Sequence, residues 1–456
     1  MTEILRQKLS DSKAARWTVL CVVAFTMFCG YYITDVMAPL MDMLQVELKW
    51  DANEYGIFTS AYGWFNVMLF MLIISGIILD KLGVRWTGIM SCALMIIGCA
   101  LKYYSVANPD LFTGTVFGIK SQVISASIGF AIFGVGIETA GITVTKVIAR
   151  WFKGHEIALA MGIQVAVARI GTGLAIGTAI PLAEGLGSLS APILLGLAFL
   201  CIGTISYLVF CVMDRRLDAS VKDMDEEPEE PFKIKDIFFI IGNKGFWLIA
   251  LLCVLFYSAV FPFLKFATSV MINKYSVEPK LAGLIPLILP FGTVLLTPLF
   301  GGIYDKKGKG ATIMAIGAIL LIIVHFLLSL PFNYWWFAAI LMVVLGVAFS
   351  LVPSAMWPSV PKIIPQNKLG TAYGLIFWVQ NIGLSGVPLL IGWVLNKYCI
   401  IGEKIDDKGK ISTLYDYTIP MIIFTCFGIL ALFVAFLLKH EDKKKGYGLE
   451  QPNIKK

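Results

Sequence analysis

The sequence predicts an all-α membrane protein: twelve transmembrane helices in two pseudo-symmetric six-helix bundles. Three observations predict it. Of 456 residues, 58% are hydrophobic and only 15% are charged, with a mean hydropathy of +0.81, where a soluble domain carries about a quarter charged residues. The apolar residues come in runs of about twenty, long enough to span a bilayer and too uniform for amphipathic surface helices. The two halves of the chain also repeat short motifs in register.

Taken in order, the spans open near Trp17, Tyr55, Trp86, Val123, Ile157, Ala191, Phe246, Leu281, Ala311, Trp336, Leu369 and Tyr417. Met1 to Arg16 is polar and basic and the first apolar run is a full span, so no cleavable signal peptide is expected. The N-terminal bundle is assigned to 1–213 and the C-terminal bundle to 241–438. Between them, 214–240 is acidic and reads as a cytoplasmic linker with too little apolar surface to fold alone. Residues 439–456 read as a disordered, basic cytoplasmic tail. Lysine and arginine crowd the side holding both ends (Arg6, Lys8, Lys81, Arg85, Arg150, Lys306, Lys362 and the tail), while the other side keeps chiefly Lys49, Lys102, Lys120, Lys274, Lys280 and the cluster around Lys404. That bias places both termini in the cytoplasm. The nine cysteines lie mostly inside apolar runs without a CxxC pair and read as small core residues. No metal-spaced cluster, nucleophile triad or cofactor motif appears, so neither an enzyme nor a cofactor is expected.

Two charges stand out. Glu138 and Arg169 lie within the fourth and fifth apolar runs, each about twelve residues from the turn that joins them, or roughly 18 Å at helical rise. Both therefore fall near the middle of a hydrocarbon core about 30 Å thick. Ionisable groups at that depth face a bundle interior or a cavity and mark a substrate or ion path. The repeats agree with a transporter. Gly76, Asp80, Gly83 and Arg85 recur as Gly301, Asp305, Gly308 and Lys309; Arg169-Ile-Gly171 recurs as Asn381-Ile-Gly383; and Gly134-Val135 before Glu138 matches Gly346-Val347 before Ser350. Internal duplication of six-helix units points to a carrier whose site lies between the halves.

The GxxxDxxGxR turn after the second span, with its weaker copy after the eighth, resembles the loop signature of the major facilitator superfamily. Its glycines let helices approach closely, its aspartate is suited to capping a helix N-terminus and its basic residue to pairing across the loop. The resemblance implies that Asp80, Arg85, Asp305 and Lys309 act as a cytoplasmic latch. A narrower resemblance, carried by Tyr31, Asp35, Gly136-Ile-Glu138, Trp151-Phe-Lys-Gly154, Ala168-Arg169-Ile-Gly171, Trp357-Pro358 and Gln380-Asn381-Ile-Gly383, is to one branch of that superfamily, the lysosomal dipeptide uniporters of animals. It implies a dipeptide cargo moved by alternating access, its amine on Glu138 and its carboxylate bidentate on Arg169.

Tyr31, Asn66, Tyr257, Phe261, Trp357, Trp378, Gln380 and Asn381 are candidate cavity-lining residues, since promiscuous peptide binding needs aromatic walls and few fixed polar contacts. Lys146 is a candidate gating residue two turns from Glu138, and Asp35 with Lys265 a candidate outer gate. A proton-coupled or exchange carrier for small organic anions, using Arg169 and Lys146, is the alternative. A non-transporting nutrient sensor is the outside alternative. Phe130 stands where the branch carries an arginine. Met1 to Arg16 holds no acidic dileucine signal, and the sequence no Asn-x-Ser/Thr acceptor. The expectation is therefore a monomer in a prokaryotic cytoplasmic membrane rather than a lysosome, without an accessory glycosylated subunit.

Overall fold

The computed structural model describes residues 9–152, 155–221, 234–365, 368–405 and 411–452. Its helices are α1 (Lys13–Asp35), α2 (Met41–Leu48), α3 (Ala52–Ser60), α4 (Trp64–Met68), α5 (Met71–Ala107), α6 (Ser121–Trp151), α7 (Ile157–Gly185), α8 (Ala191–Val221), α9 (Ile234–Ile241), α10 (Lys244–Asn273), α11 (Pro279–Ala282), α12 (Leu284–Lys307), α13 (Gly310–Ser329), α14 (Trp335–Ile363), α15 (Leu369–Tyr398) and α16 (Thr418–Lys445). Helix is forced on such apolar runs because lipid offers the backbone no hydrogen-bond partner. Among the described residues, 11 helical stretches are long and apolar enough to cross a membrane.

The remaining crossing is the second, and it is built in pieces. It begins at α3, where Asp51 and Glu54 form a reciprocal capping box. It passes through a 3₁₀ turn over Ala61–Gly63 and α4, and breaks again at Phe70, which is left-handed at φ 53°. Its last turns are the first part of α5, a helix that reverses at Gly83 (φ 75°, ψ 175°). Only glycine adopts that conformation readily, so the motif residue Gly83 makes the turn between the second and third crossings. Its counterpart Gly308 is also at positive φ, 69°, between α12 and α13.

Sequence and structure differ at three connections. The segment assigned as linker starts inside α8, which runs on to Val221, and includes α9, whose Phe238 and Phe239 are exposed; residues 222–233 lie outside the described residues. The tail, expected to be disordered, continues α16 to Lys445 and then folds back as far as Pro452. Leu449 is fully buried, the Lys309 and Gly310 N–H groups donate to the Glu450 and Leu449 carbonyls, and Lys362 Nζ donates to the carbonyls of Gly448 and Gln451. The buried leucine, the loop donors and the Glu450 carboxylate, which accepts from Thr312, tie down a segment that composition alone reads as solvated. Lys102, counted among the outer loops, is instead buried in α5, because that helix extends to Ala107.

The two halves, α1–α8 and α10–α16, meet mainly away from the terminal face, the one at which α1 begins and α16 ends. At this far end α3 crosses α15 so closely that a Cβ on Gly56 would lie 2.9 Å from the Gly392 Cα. Gln45 donates to the Tyr415 hydroxyl on the strand pair Ile400–Ile405 and Ile411–Tyr415, and Asn273 donates to Asp42. At the terminal face the ion pairs Lys146–Asp80, Arg85–Asp218 and Lys244–Glu441 each stay within one half.

Candidate functional site

Glu138 sits midway along α6 and owes its geometry to the broken second crossing. The 3₁₀ turn at Ala61–Gly63 presses its backbone onto Gly134, where a Cβ would lie 2.0 Å from the Tyr62 carbonyl oxygen. That approach delivers the Tyr62 hydroxyl to Glu138, one turn further along, where it donates to Oε1 at 2.7 Å. Asn381 of α15, from the opposite half, lies near Glu138, with its amide donating to the Phe377 carbonyl at 3.0 Å. Asn66, just beyond the same turn, donates to the Gly134 carbonyl at 3.3 Å and lies 3.5 Å from Asn381 Oδ1. Glu138 is thus held by a neutral hydroxyl of its own half, with the Asn66–Asn381 contact between the halves beside it.

Arg169, on α7, is held by rings. Its guanidinium carbon lies 5.5 Å from the Tyr31 ring centroid, 5.0 Å from Phe261 and 5.4 Å from Phe349. Tyr31 belongs to α1, Phe261 to α10 and Phe349 to α14, so the cage closes only where the halves meet. Among the described residues no carboxylate pairs with Arg169, and Glu138 is not its partner. Tyr31 lies within electrostatic range of both charges. Aromatic faces attract a guanidinium without using its N–H donors, so its planar fork stays available to a carboxylate.

The other lining candidates divide. Tyr257 stacks on Phe261 (centroids 5.2 Å apart) and accepts from Trp357 Nε1 at 3.2 Å, which extends the cage along α10 and α14. Trp378 stacks on Phe70 at 5.4 Å and donates to the Val67 carbonyl left open by the helix break. Gln380 is not brought to the cage: it accepts from Cys253 Sγ at 3.7 Å inside the second half. Among the described residues no group of His, Cys, Asp and Glu has metal-holding geometry.

The gating candidates form two groups. At the far end Asp35 and Lys265 are 2.6 Å apart and join the halves; Thr172 donates to the other Asp35 oxygen at 2.8 Å. At the terminal face Asp80 pairs with Lys146 of α6 at 2.8 Å rather than capping a helix, so Lys146 is engaged away from Glu138. Arg85 reaches α8, not across its own loop, and meets Asp218 at 2.6 Å and Asp214 at 3.5 Å. Asp305 and Lys309 flank the Gly308 turn, with Lys309 left-handed and tied to the tail.

Sequence reasoning missed Phe349, Asp214 and Asp218. Phe349 directly precedes Ser350, the repeat counterpart of Glu138, and an aromatic there was the available signal. The acidic pair lay in the stretch assigned to the linker, although its four-residue spacing puts both carboxylates on one helix face.

The model of the Major Facilitator Superfamily matches residues 20–388. The chain belongs to that superfamily. Among curated relatives, the lysosomal dipeptide transporter MFSD1 of Mus musculus is 28% identical over 394 residues, covering 84% of this chain and 81% of the relative; the Homo sapiens protein of the same name is 26% identical, covering 84% and 80%. Solved structures with the same fold include the nucleoside transporter NupG (TM-score 0.67, 16% identity, 93% of this chain and 99% of that one) and a D-xylose-proton symporter (0.66, 16%, 92% and 97%). A bacterial homolog of the human lysosomal transporter Spinster, inward-facing and unoccupied, gives 0.67 at 13% identity, covering 95% and 98%. As in other members of the superfamily, the cargo is a small molecule carried through the membrane.

Proposed function

We propose that this superfamily member is a dipeptide uniporter working by alternating access, with Glu138 receiving the cargo's ammonium group and Arg169 its carboxylate. The observation that carries the reading is the pair itself: two opposite charges on adjacent helices, held by neutral partners from both halves rather than by each other. A zwitterion with charges at its two ends supplies the missing counter-charges together. The rings around Arg169 and along Tyr257 and Trp357 offer apolar walls for variable side chains. The relatives named as lysosomal dipeptide transporters support the choice of cargo. On this reading the chain is a monomer in a prokaryotic cytoplasmic membrane with both termini inside, closed at its outer end, where Asp35 and Lys265 form the gate. Asp80, Arg85, Asp305, Lys309 and Lys146 belong to the inner latch.

The test is counterflow in proteoliposomes with and without an imposed pH gradient, alongside thermal shifts of the purified chain. Dipeptides are expected to raise the melting temperature and to exchange at a rate indifferent to the gradient. The second reading, a proton-coupled or exchange carrier for organic anions, is favoured by Arg169, which binds any carboxylate. It predicts stabilisation by dicarboxylates and gradient-driven uptake instead. Lys146 counts against it, being 2.8 Å from Asp80 rather than at the cage.

A further inference from the structure

Lys102 is fully buried in α5, and among the described residues no carboxylate pairs with it. Its ammonium donates to the Ile33 carbonyl at 3.1 Å and lies over the Phe130 and Phe133 rings at 4.8 and 5.5 Å. A lysine carries three donors, and a neutral carbonyl with two rings is thin compensation for a charge removed from water.

Its place is informative. Ile33 is in the last turn of α1, and the next two residues belong to the gate. The Thr34 carbonyl and the Asp35 carboxylate accept from Lys265, of the opposite half, at 2.7 and 2.6 Å. The same Phe130 ring lies 6.0 Å from the Lys265 ammonium, and Asp35 is within electrostatic range of Lys102. The end of α1 therefore holds one anion and two cations, one cation from each half.

Opening the far end withdraws α10 and carries Lys265 away. Asp35 stays in the first half, and removing one partner of a buried pair strands the other at high cost. We propose that Lys102 is the replacement counter-ion of Asp35, a gating residue that shifts from the Ile33 carbonyl to the carboxylate as Lys265 leaves. In the closed state it also repels Lys265. Both effects favour opening, so losing Lys102 should hold the far end shut. The proposal rests on the reading of Asp35 and Lys265 as the outer gate and is independent of the cargo.

The experiment uses the full chain in lipid nanodiscs, its native cysteines replaced and Ala38→Cys introduced. Ala38 is 1% exposed at the closed far end, so its labelling by a bulky maleimide reports opening. Lys265→Met is expected to speed labelling. Lys102→Met should slow it at least tenfold without lowering the melting temperature, and adding Asp35→Asn should return it to the parent rate or above. If Lys102→Met does not assemble, Lys102→Gln carries the same expectation. Labelling of an intact Lys102 variant at the parent rate, or no recovery with Asp35→Asn, overturns the proposal. No change in Lys265→Met removes the gate and the proposal together, leaving the cargo assignment standing.

Discussion

A guanidinium among three rings behaves differently from one in a salt bridge. Arg169 keeps its fork of donors, and replacement by lysine would keep the charge but lose the planar bidentate geometry. Arg169→Lys is therefore expected to abolish dipeptide counterflow and the dipeptide-induced thermal shift while leaving the inserted protein intact. Glu138→Gln should do the same by removing the ammonium's counter-charge; normal uptake by either variant would place the site elsewhere. Phe349→Leu tests the cage itself. Losing one desolvated cation–π contact costs about 1–2 kcal/mol, roughly a five- to thirtyfold rise in the half-saturating dipeptide concentration, with little change in melting temperature. Much of this site was legible in the sequence, because a lone Glu and a lone Arg in apolar helices are conspicuous. What was illegible is contact across the interface. No local spacing announces that Phe349 meets Arg169, or that Gln380, the immediate neighbour of Asn381, points away into its own half.

Helices of the predicted kind formed along the apolar runs, and the differences fell beyond their ends, where α5, α8 and α16 run on past them, and in the linker. The second crossing holds three backbone interruptions from Ala61 to Gly83, and each serves a purpose: the first aims Tyr62 at Glu138, the break at Phe70 frees the carbonyl that Trp378 takes, and Gly83 turns the chain into the third crossing. The sequence shows the last of these plainly as a motif glycine. It hides Phe70, because a bulky residue at positive φ is an outlier that only surrounding contacts sustain. Gly83→Ala should cost about 1–3 kcal/mol by forcing a Cβ into a region reserved for glycine, read as a lower melting temperature in detergent. A control at Gly76, where a Cβ would meet nothing within 4 Å, should stay close to the parent.

Across the whole molecule, the halves touch along α3 and α15 at the far end, and Gly56 and Gly392 set how near they come. Gly392→Leu inserts a side chain where even a Cβ would lie 2.4 Å from the Ala52 carbonyl oxygen. It is expected to wedge this end apart, raising labelling at Ala38→Cys and abolishing counterflow; unchanged labelling would mean that this crossing is not what holds the far end shut.

The folded-back tail bears on where such a chain can be extended. Because Leu449 is fully buried beneath the α12–α13 loop, the stopper of the second bundle comes from chain that follows its last crossing. A chain ended at Lys445 would have all its crossings yet leave the Leu449 socket unplugged. A fluorescent reporter spliced in after Lys445 would hold the socket open in the same way, whereas one placed after Pro452 would leave Leu449 in it.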